Sequence, residues 1–384
     1  NTLVVNNPPI SGVYTASANY VQATMTVPAD GFFSSAFGTA AFTIETTATA
    51  GIIKSGNGCL MALNRTADAA MDLTGNATVD VACAITSNSG STESIVYGGS
   101  VSVSAEPAMV ADGDIANKGN GYDLDPETEL WPNSGISDDP HADLEIPTNG
   151  NIPLIETCLD TFGNGGATSS LSEAAANSVA VTESVIDGVT VHTMNPGRYC
   201  GTIPFNSGGE STVILNPGTY IIDAGDFVIG AQTNITGEGV TIILTAADPA
   251  DIGNVTINGG GDINLVGQTP AQLEGNSTDT ANVVMEEYAG VLLYQDRRVG
   301  PSGGADKNMI NGHSDTYLSG AFYFPSQELQ YNGTSSTSGG CVQIIGDTVK
   351  ILGDNDTTIT GGNDAACALL GLDGAVVSRV VLVE

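Results

Sequence analysis

The chain is poor in positive charge, histidine and aromatic side chains. Of its 384 residues, 9 are Lys or Arg, 3 are His and 5% are aromatic, whereas 43 are Asp or Glu, which gives a net charge of −34. Such an acidic surface repels phosphate groups and anionic lipid headgroups, and this excludes nucleic acid as a partner. The acids suit either divalent cations or a secreted β-protein that must stay soluble and avoid edge-to-edge strand pairing.

Long apolar runs and several catalytic motifs are absent as well. No run of about 18 apolar residues occurs, so we expect no transmembrane segment in this chain. No signal peptide is visible, and the chain opens at Asn1 rather than at Met, so we expect that an upstream export or anchoring segment was removed. The nucleophile motif GxSxG and the phosphate-binding motif GK[ST] are also missing.

The six cysteines are widely spaced and include no CxxC pair of the kind that zinc sites use. Their even number predicts three disulfides and an oxidising compartment, with buried free thiols as the alternative. Many connectivities are possible, and we predict pairing between neighbours in sequence because this closes loops of similar length. The predicted pairs are Cys59–Cys83, Cys158–Cys200 and Cys341–Cys367.

A repeated PGxY motif is the strongest sign of the fold. It occurs in residues 195–199 and again in residues 216–220, 21 residues later, among short strands rich in β-branched residues. A period of about 20–25 residues predicts stacked coils of a parallel β-solenoid. The 49 glycines can supply positive φ angles at the corners, where asparagine side chains can stack from coil to coil.

These patterns predict an all-β fold, a right-handed parallel β-helix with a small N-terminal α+β module or assembly arm. We expect a single apolar turn or a short helix at residues 31–38 of this module, and we expect the C-terminal strand to cap or zip the solenoid. The predicted parts are the N-terminal module at 1–57, the first solenoid coils at 58–110, an acidic irregular insertion at 111–178 and the main solenoid at 179–384.

The acidic insertion crowds Asp, Pro and the only Trp of the chain into an irregular stretch. Its DxD spacing resembles a calcium-binding loop, although the full twelve-residue EF-hand pattern is absent. Two interpretations therefore remain, a solvated linker and a weak Ca²⁺ site. The candidate Ca²⁺ ligands are Asp112, Asp114, Asp123, Asp125, Asp138 and Asp139.

Several strings resemble a known family. They include LTGNATVDVACAITSNS from Leu73, NPGRYCG from Asn195, NPGTYIID from Asn216 and LSGAFYFPSQELQYNG from Leu318. Together they cover about residues 58–355, and they resemble the TadG-like, Tad/Flp pilus-assembly-related proteins of bacteria. The resemblance implies a bacterial cell-surface protein connected with pili. Members of that family usually begin with a pilin-like transmembrane helix, which this chain lacks, and they carry no agreed catalytic residues to transfer.

We therefore expect a non-enzymatic extracellular structural protein, either a pilus-associated subunit or a self-assembling adhesive filament component. Its partners would be further copies of the chain, joined through strands or solenoid ends, and other pilus components. The predicted assembly residues are Asn1, Thr2, Leu3, Val4 and Val5 at the start, and Val380, Val381, Leu382 and Val383 at the end.

The alternative function is that of a β-helix polysaccharide hydrolase or lyase. Such an enzyme needs two or three carboxylates that converge on one groove. The adjacent pair Asp138 and Asp139 would face opposite sides of a strand, and residues 311–315 resemble a glycosidase signature only superficially. The three histidines, His141, His192 and His313, lie in dissimilar sequence contexts, so we predict no catalytic residue.

Overall fold

The structure is a computed structural model, and the chain divides into two compact units. One comprises Asn1–Ser55 with Ser378–Glu384, and the other comprises Gly56–Val377. The residues that the structure describes are 2–12, 15, 20–29, 42–75, 78–106, 108–119, 123–144, 158–162, 170–177, 180–205, 211–275, 286–301, 307–312, 316–333, 340–352, 356–359, 365–372 and 375–382.

The smaller unit contains an antiparallel arrangement of β1 (Thr2–Asn6), β2 (Tyr20–Ala29) and the first part of β3 (Phe42–Ala62). β1 pairs with β2, and β2 pairs with β3. The helix predicted for residues 31–38 lies outside the described residues. Residues 378–384 also belong to this unit, whereas the sequence analysis assigned them to the main solenoid.

The larger unit is built from short strands. After β3, the first block of strands consists of β4 (Met71–Gly75), β5 (Thr78–Val81), β6 (Ala84–Ser87), β7 (Ile95–Gly99), β8 (Ser102–Ala105), β9 (Ala108–Ala111), β10 (Ile115–Asn117), β11 (Asp123–Leu124) and β12 (Glu129–Trp131). The strands that follow are β13 (Asp160–Thr161), β14 (Val181–Ile186), β15 (Val189–Met194), β16 (Gly197–Cys200), β17 (Ile203–Pro204), β18 (Ser211–Leu215), β19 (Gly218–Asp223), β20 (Phe227–Ile229), β21 (Thr233–Glu238), β22 (Val240–Thr245), β23 (Val255–Asn258), β24 (Ile263–Val266), β25 (Val291–Gln295), β26 (Asn308–Gly312), β27 (Thr316–Phe324), β28 (Leu329–Gly333), β29 (Val342–Gly346), β30 (Val349–Leu352) and β31 (Asp356–Ile359). The final strand, β32 (Ala375–Leu382), has most of its residues in the smaller unit. The described helices are α1 (Leu171–Asn177), α2 (Pro270–Gly275) and α3 (Ala365–Leu370).

These strands form a parallel β-solenoid of about ten coils, which confirms the predicted fold class. A coil visits three faces in turn. The first face holds β3, β6, β9, β12, β13, β16, β19, β22, β25, β27 and β29, and the second holds β4, β7, β10, β17, β20, β23, β26, β28 and β30. The third position holds two separate sheets, β5, β8, β11 and β31 in one, and β14, β15, β18, β21, β24 and the start of β27 in the other.

The coils do not stack in chain order. The closing coil (β29, β30 and β31) pairs in parallel with the opening coil (β3, β4 and β5), so both lie inside the stack. β12 lies near one end and β14 near the other. The chain between them therefore connects the two ends of the stack, and we call its first described part, residues 132–144, the return segment.

This order corrects the predicted insertion. Residues 115–131 were assigned to an irregular insertion at 111–178, yet β10, β11 and β12 form a further coil, parallel to β7, β8 and β9. The prediction is wrong for these residues because their strands are only two or three residues long and are separated by Asp, Pro and Gly. Strands this short carry too few apolar residues to show a period.

The PGxY motif places its tyrosines inside the solenoid. Tyr199 and Tyr220 are buried and stack with ring centroids 6.2 Å apart. The Tyr220 hydroxyl donates to the carbonyl of Asn216 at 2.7 Å, so the buried phenol keeps a hydrogen-bond partner. Gly218 takes a φ of 139°, which favours glycine at this corner. The motif therefore links each corner to an aromatic column in the core.

Asparagine side chains stack at the corners, as the sequence predicts. The Asn311 amide donates to Asn258 Oδ1 at 2.8 Å, and the Asn332 amide donates to Asn311 Oδ1 at 2.8 Å. A second pair, Asn216 and Asn195, makes the same contact at 2.8 Å. Each bond joins two successive coils, so these ladders help to fix the register of the stack.

All three predicted disulfides are present. They join Cys59 to Cys83, Cys158 to Cys200 and Cys341 to Cys367, with Cα–Cα distances of 5.7, 5.7 and 4.9 Å. Disulfides persist in oxidising surroundings, so they indicate a non-cytoplasmic compartment. None of the helices in the described part of the chain is long and apolar enough to cross a bilayer.

Candidate functional site

One end of the solenoid is closed. Helix α1 packs against β14 and β15, and its residues Leu171 and Ala174 are fully buried. Phe162 is also buried there, and its ring stacks on that of Tyr199 with centroids 6.4 Å apart. β14 pairs antiparallel with β15, unlike the parallel strands of the coils. These features cover the core, so a further coil cannot simply continue the stack at this end.

The other end is open at the coil formed by β10, β11 and β12. Among the described pairings, these strands bond on one side only. Leu130 stands at the position of Met109 in the preceding coil, yet Leu130 is 39% exposed whereas Met109 is fully buried. Apolar core surface therefore reaches solvent here. Glu127 and Glu129 are exposed beside it, and like charges of this kind oppose pairing between two copies.

The N-terminal strand β1 is a second exposed apolar surface. Leu3, Val4 and Val5 are 65%, 47% and 58% exposed, and β1 pairs with β2 alone among the described pairings. The other predicted assembly residues lie in β32, where Leu382 is 74% exposed. Asn1 and Val383, which the sequence analysis included, lie outside the described residues.

The six candidate calcium ligands are spread over the coil of β10, β11 and β12, the turn before β10 and the return segment. The Asp114 carboxylate accepts a hydrogen bond from the Asn133 amide, and the Asp125 carboxylate accepts one from the backbone of Glu127. The Asp123 side chain lies outside what the structure describes, and no three of the other five carboxylates lie close enough to share an ion. Calcium binding by Asp112, Asp114, Asp123, Asp125, Asp138 and Asp139 stays a prediction, which melting temperatures in Ca²⁺ and in EDTA can check.

One other group of potential ligands does have metal-site spacing. Cys158, Cys200 and Asp223 bring their ligand atoms within 4.8 Å of one another. The two sulfurs form a disulfide, and Asp223 makes an ion pair with Arg198. Because a disulfide offers no thiolate, this group stabilises the closed end rather than binding a metal.

The return segment is held on the first face by a polar cluster. The Tyr323 hydroxyl donates to Asp139 Oδ2 at 2.8 Å, and His141 Nε2 lies 2.7 Å from Gln343 Oε1. The Arg297 guanidinium donates to the backbone carbonyls of residues 141, 142 and 144. Asp139, a predicted calcium ligand, therefore has a structural partner. No sequence pattern points to this cluster, because its members lie far apart in the chain.

His141 is a neutral structural residue in this cluster. Burial lowers its pKa, an effect that outweighs the opposing hydrogen bond to Gln343 and the negative charge of Asp139. Burial also raises the pKa of Tyr323, which keeps the phenol protonated as the donor to Asp139. His141 and Tyr323 therefore contact their partners in this cluster as uncharged groups.

His192 lies beside Ser172 and Glu183, a combination that resembles a hydrolase triad. Its Nε2 is 3.2 Å from the Ser172 hydroxyl and 3.1 Å from Glu183 Oε2. In a working triad the acid binds the opposite ring nitrogen, Nδ1, and orients the imidazole towards the nucleophile. Here Nδ1 is buried without a hydrogen-bond partner among the described residues. The arrangement does not activate Ser172. His313 lies outside the described residues.

A polar groove of about 440 Å³ runs along the corner between the first and second faces. It spans five successive coils, because its lining includes the residues that follow β16, β19, β22, β25 and β27. Asp226 and Asp251 contribute its carboxylates. The sequence analysis did not identify this groove, since glycine and aspartate at a coil corner look like ordinary turn residues.

The comparisons with known proteins give no further guide to this geometry. No protein-family model, no curated protein and no solved structure matches the chain.

Proposed function

We propose that this chain is a non-enzymatic extracellular structural protein, a pilus-associated subunit that assembles through its N-terminal edge strand. The observation that carries the proposal is the exposure of Leu3, Val4 and Val5 on β1, a strand with a described partner on one side. Monomeric proteins usually protect such an edge with charge or cover, because it templates pairing with another chain. The resemblance to TadG-like proteins points to the same setting.

Strand addition is favoured over stacking of solenoid ends as the assembly route. Head-to-tail stacking needs two complementary open ends, and α1 and β14 close one of them. A strand added to β1 would gain main-chain hydrogen bonds and contacts with the exposed apolar side chains. The three disulfides suit a subunit that must last outside the cell.

The proposal is tested by sedimentation and electron microscopy over a range of protein concentrations. The wild-type chain should form oligomers or filaments, and Val4→Lys should reduce them, since a lysine on an edge strand opposes strand addition. Ile136→Lys is the matched control, because Ile136 is an exposed apolar residue, 54% accessible, that lies outside the strands. A wild-type chain that stays monodisperse at high concentration would contradict the proposal.

A polysaccharide hydrolase or lyase is the second candidate, and the groove with Asp226 and Asp251 is the observation that favours it. Two carboxylates in one groove are what such an enzyme needs. The test is an assay on neutral and host-type glycans, with the polyuronates pectin and alginate alongside them. Turnover that disappears in Asp251→Asn would replace the structural proposal with an enzymatic one.

A further inference from the structure

The corner groove has a floor of stacked backbone. Gly201, Gly225 and Gly253 occupy equivalent places in three successive coils, and a Cβ on Gly225 or on Gly253 would collide with the glycine of the coil before it. No side chain can fill the corner at these positions, so the surface is recessed. The 3₁₀ turn Pro249–Asp251 and residues 299–301 complete the lining.

Two of the polar side chains that line this groove are held in place by hydrogen bonds. Asp226 Oδ1 accepts a hydrogen bond from the backbone of Asn254 at 2.8 Å, and the Gln327 amide donates to the carbonyl of Gly300 at 3.1 Å. Gln327 is itself buried, at 4% exposure. The carboxylate of Asp251 is exposed, and no partner for it occurs in the described part of the chain. Carboxylate and amide groups held in place can bind hydroxyl groups at little entropic cost.

The charge of the groove restricts the ligand. Among the described residues, its lining contains two aspartates and no Lys, Arg or His, so phosphates, sulfates and uronic acids would be repelled. Pro249, Ile252 and Pro301 add apolar surface for C–H groups. The volume lies in the range of small-ligand sites. Five coils at the spacing of β-strands span about 19 Å, which suits a short chain of sugars better than a single one.

We propose that this groove binds uncharged, hydroxyl-rich oligosaccharides. The proposal goes beyond the assembly role, since it assigns a ligand to a surface of the solenoid that assembly through β1 does not use. The carboxylates and amides would accept and donate hydrogen bonds to sugar hydroxyls, and the glycine floor would let the sugar approach the backbone closely.

The experiment titrates the full chain with neutral cello- and manno-oligosaccharides and with oligogalacturonate, by calorimetry or NMR. Gly300→Trp is the blocking variant, because Gly300 lines the groove and a Cβ added to it meets no atom within 4 Å, which leaves room for the indole at the groove wall. Gly300→Ala is its matched control. We expect a neutral oligosaccharide to bind with a Kd of about 1 mM, to bind at least about tenfold more weakly to Gly300→Trp, and to bind unchanged to Gly300→Ala.

Oligogalacturonate should bind the wild-type chain far more weakly than the neutral sugars do, and Asp251→Lys should narrow this difference. Three results would overturn the proposal: none of the neutral sugars binds, Gly300→Trp binds as tightly as the wild type, or the uronate binds equally well. Val4→Lys should keep full sugar binding, so a failure of the groove and a failure of the assembly proposal are distinguishable.

Discussion

Ile344 lies beside Leu60 in parallel register, although the two residues come from the closing and opening coils of the solenoid. Both are completely buried. In most solenoids the first and last coils form the two ends of the stack and contact one neighbour each. Here the two coils contact each other, and the ends of the stack come from the middle of the sequence. This arrangement changes which residues should be most stable.

We predict that amide protons of β29 and β3 exchange among the slowest in the solenoid, and that those of β10, β11 and β12 exchange faster. The reason is that β29 and β3 lie inside the stack, whereas the coil of β10, β11 and β12 has an open edge and unfolds locally at a lower free-energy cost. Hydrogen exchange followed by mass spectrometry measures this directly. If the amides of β29 and β3 were instead the least protected against exchange, as expected for two free ends, the closing and opening coils would not pair in solution.

The hydrogen bond between Tyr323 and Asp139 should stabilise the return segment. Removing the hydroxyl in Tyr323→Phe, or the charge in Asp139→Asn, should each lower the free energy of unfolding, with a coupling energy of about 1–3 kcal/mol because the acceptor is charged. Urea unfolding of the two single variants and the double variant gives the coupling. Asp138→Asn is the control and should have little effect, since its side chain is exposed. Purely additive effects of the two changes would mean that the bond contributes nothing.

His141 should make the stability depend on pH below its ordinary pKa of about 6.5. Burial lowers its pKa in the folded chain, so the unfolded chain takes up a proton first as the pH falls. Well above pH 6.5 both states are neutral at this residue and it adds no pH dependence. Below that value the free energy of unfolding should fall by up to about 1.4 kcal/mol per pH unit, until the folded chain is protonated as well.

Subtracting the pH profile of His141→Gln from that of the wild type isolates this effect, because the carboxylates titrate in both chains. A glutamine can still donate to Gln343, so the variant should keep the contact without the titration. Parallel profiles of the two proteins between pH 7 and pH 5 would count against a buried, neutral His141.

The asparagine ladder predicts that the loss of stability depends on how many ladder hydrogen bonds a substitution removes. Asn311 has a hydrogen bond to Asn258 on one side and to Asn332 on the other, whereas Asn258 makes one such bond. Asn311→Ala should therefore destabilise the chain about twice as much as Asn258→Ala, by about 2 kcal/mol against about 1 kcal/mol. Thermal or urea unfolding of both variants checks this ratio. Equal losses would indicate that the side chains bond to water instead of to each other.

The sequence predicted the features that depend on neighbouring coils. The two PGxY motifs lie 21 residues apart, so they showed the period of the coils. Cys59 and Cys83 were paired as neighbours in sequence, and they too lie about one coil apart. The stacked asparagines followed from the same period. The sequence did not predict the coil at residues 115–131, because the strands of this coil are too short to show a period.

By itself, then, the sequence determined the parallel coil, its corners and its disulfides, because each depends on residues within one or two turns of the chain. The tertiary structure alone decided the order of the coils, the closed end and the groove. Parallel strand edges are chemically alike, so any coil could pair with any other, and no local pattern states that Ile344 should meet Leu60. That choice depends on contacts between distant residues, such as Tyr323 with Asp139, which form only when the return segment lies along the folded stack.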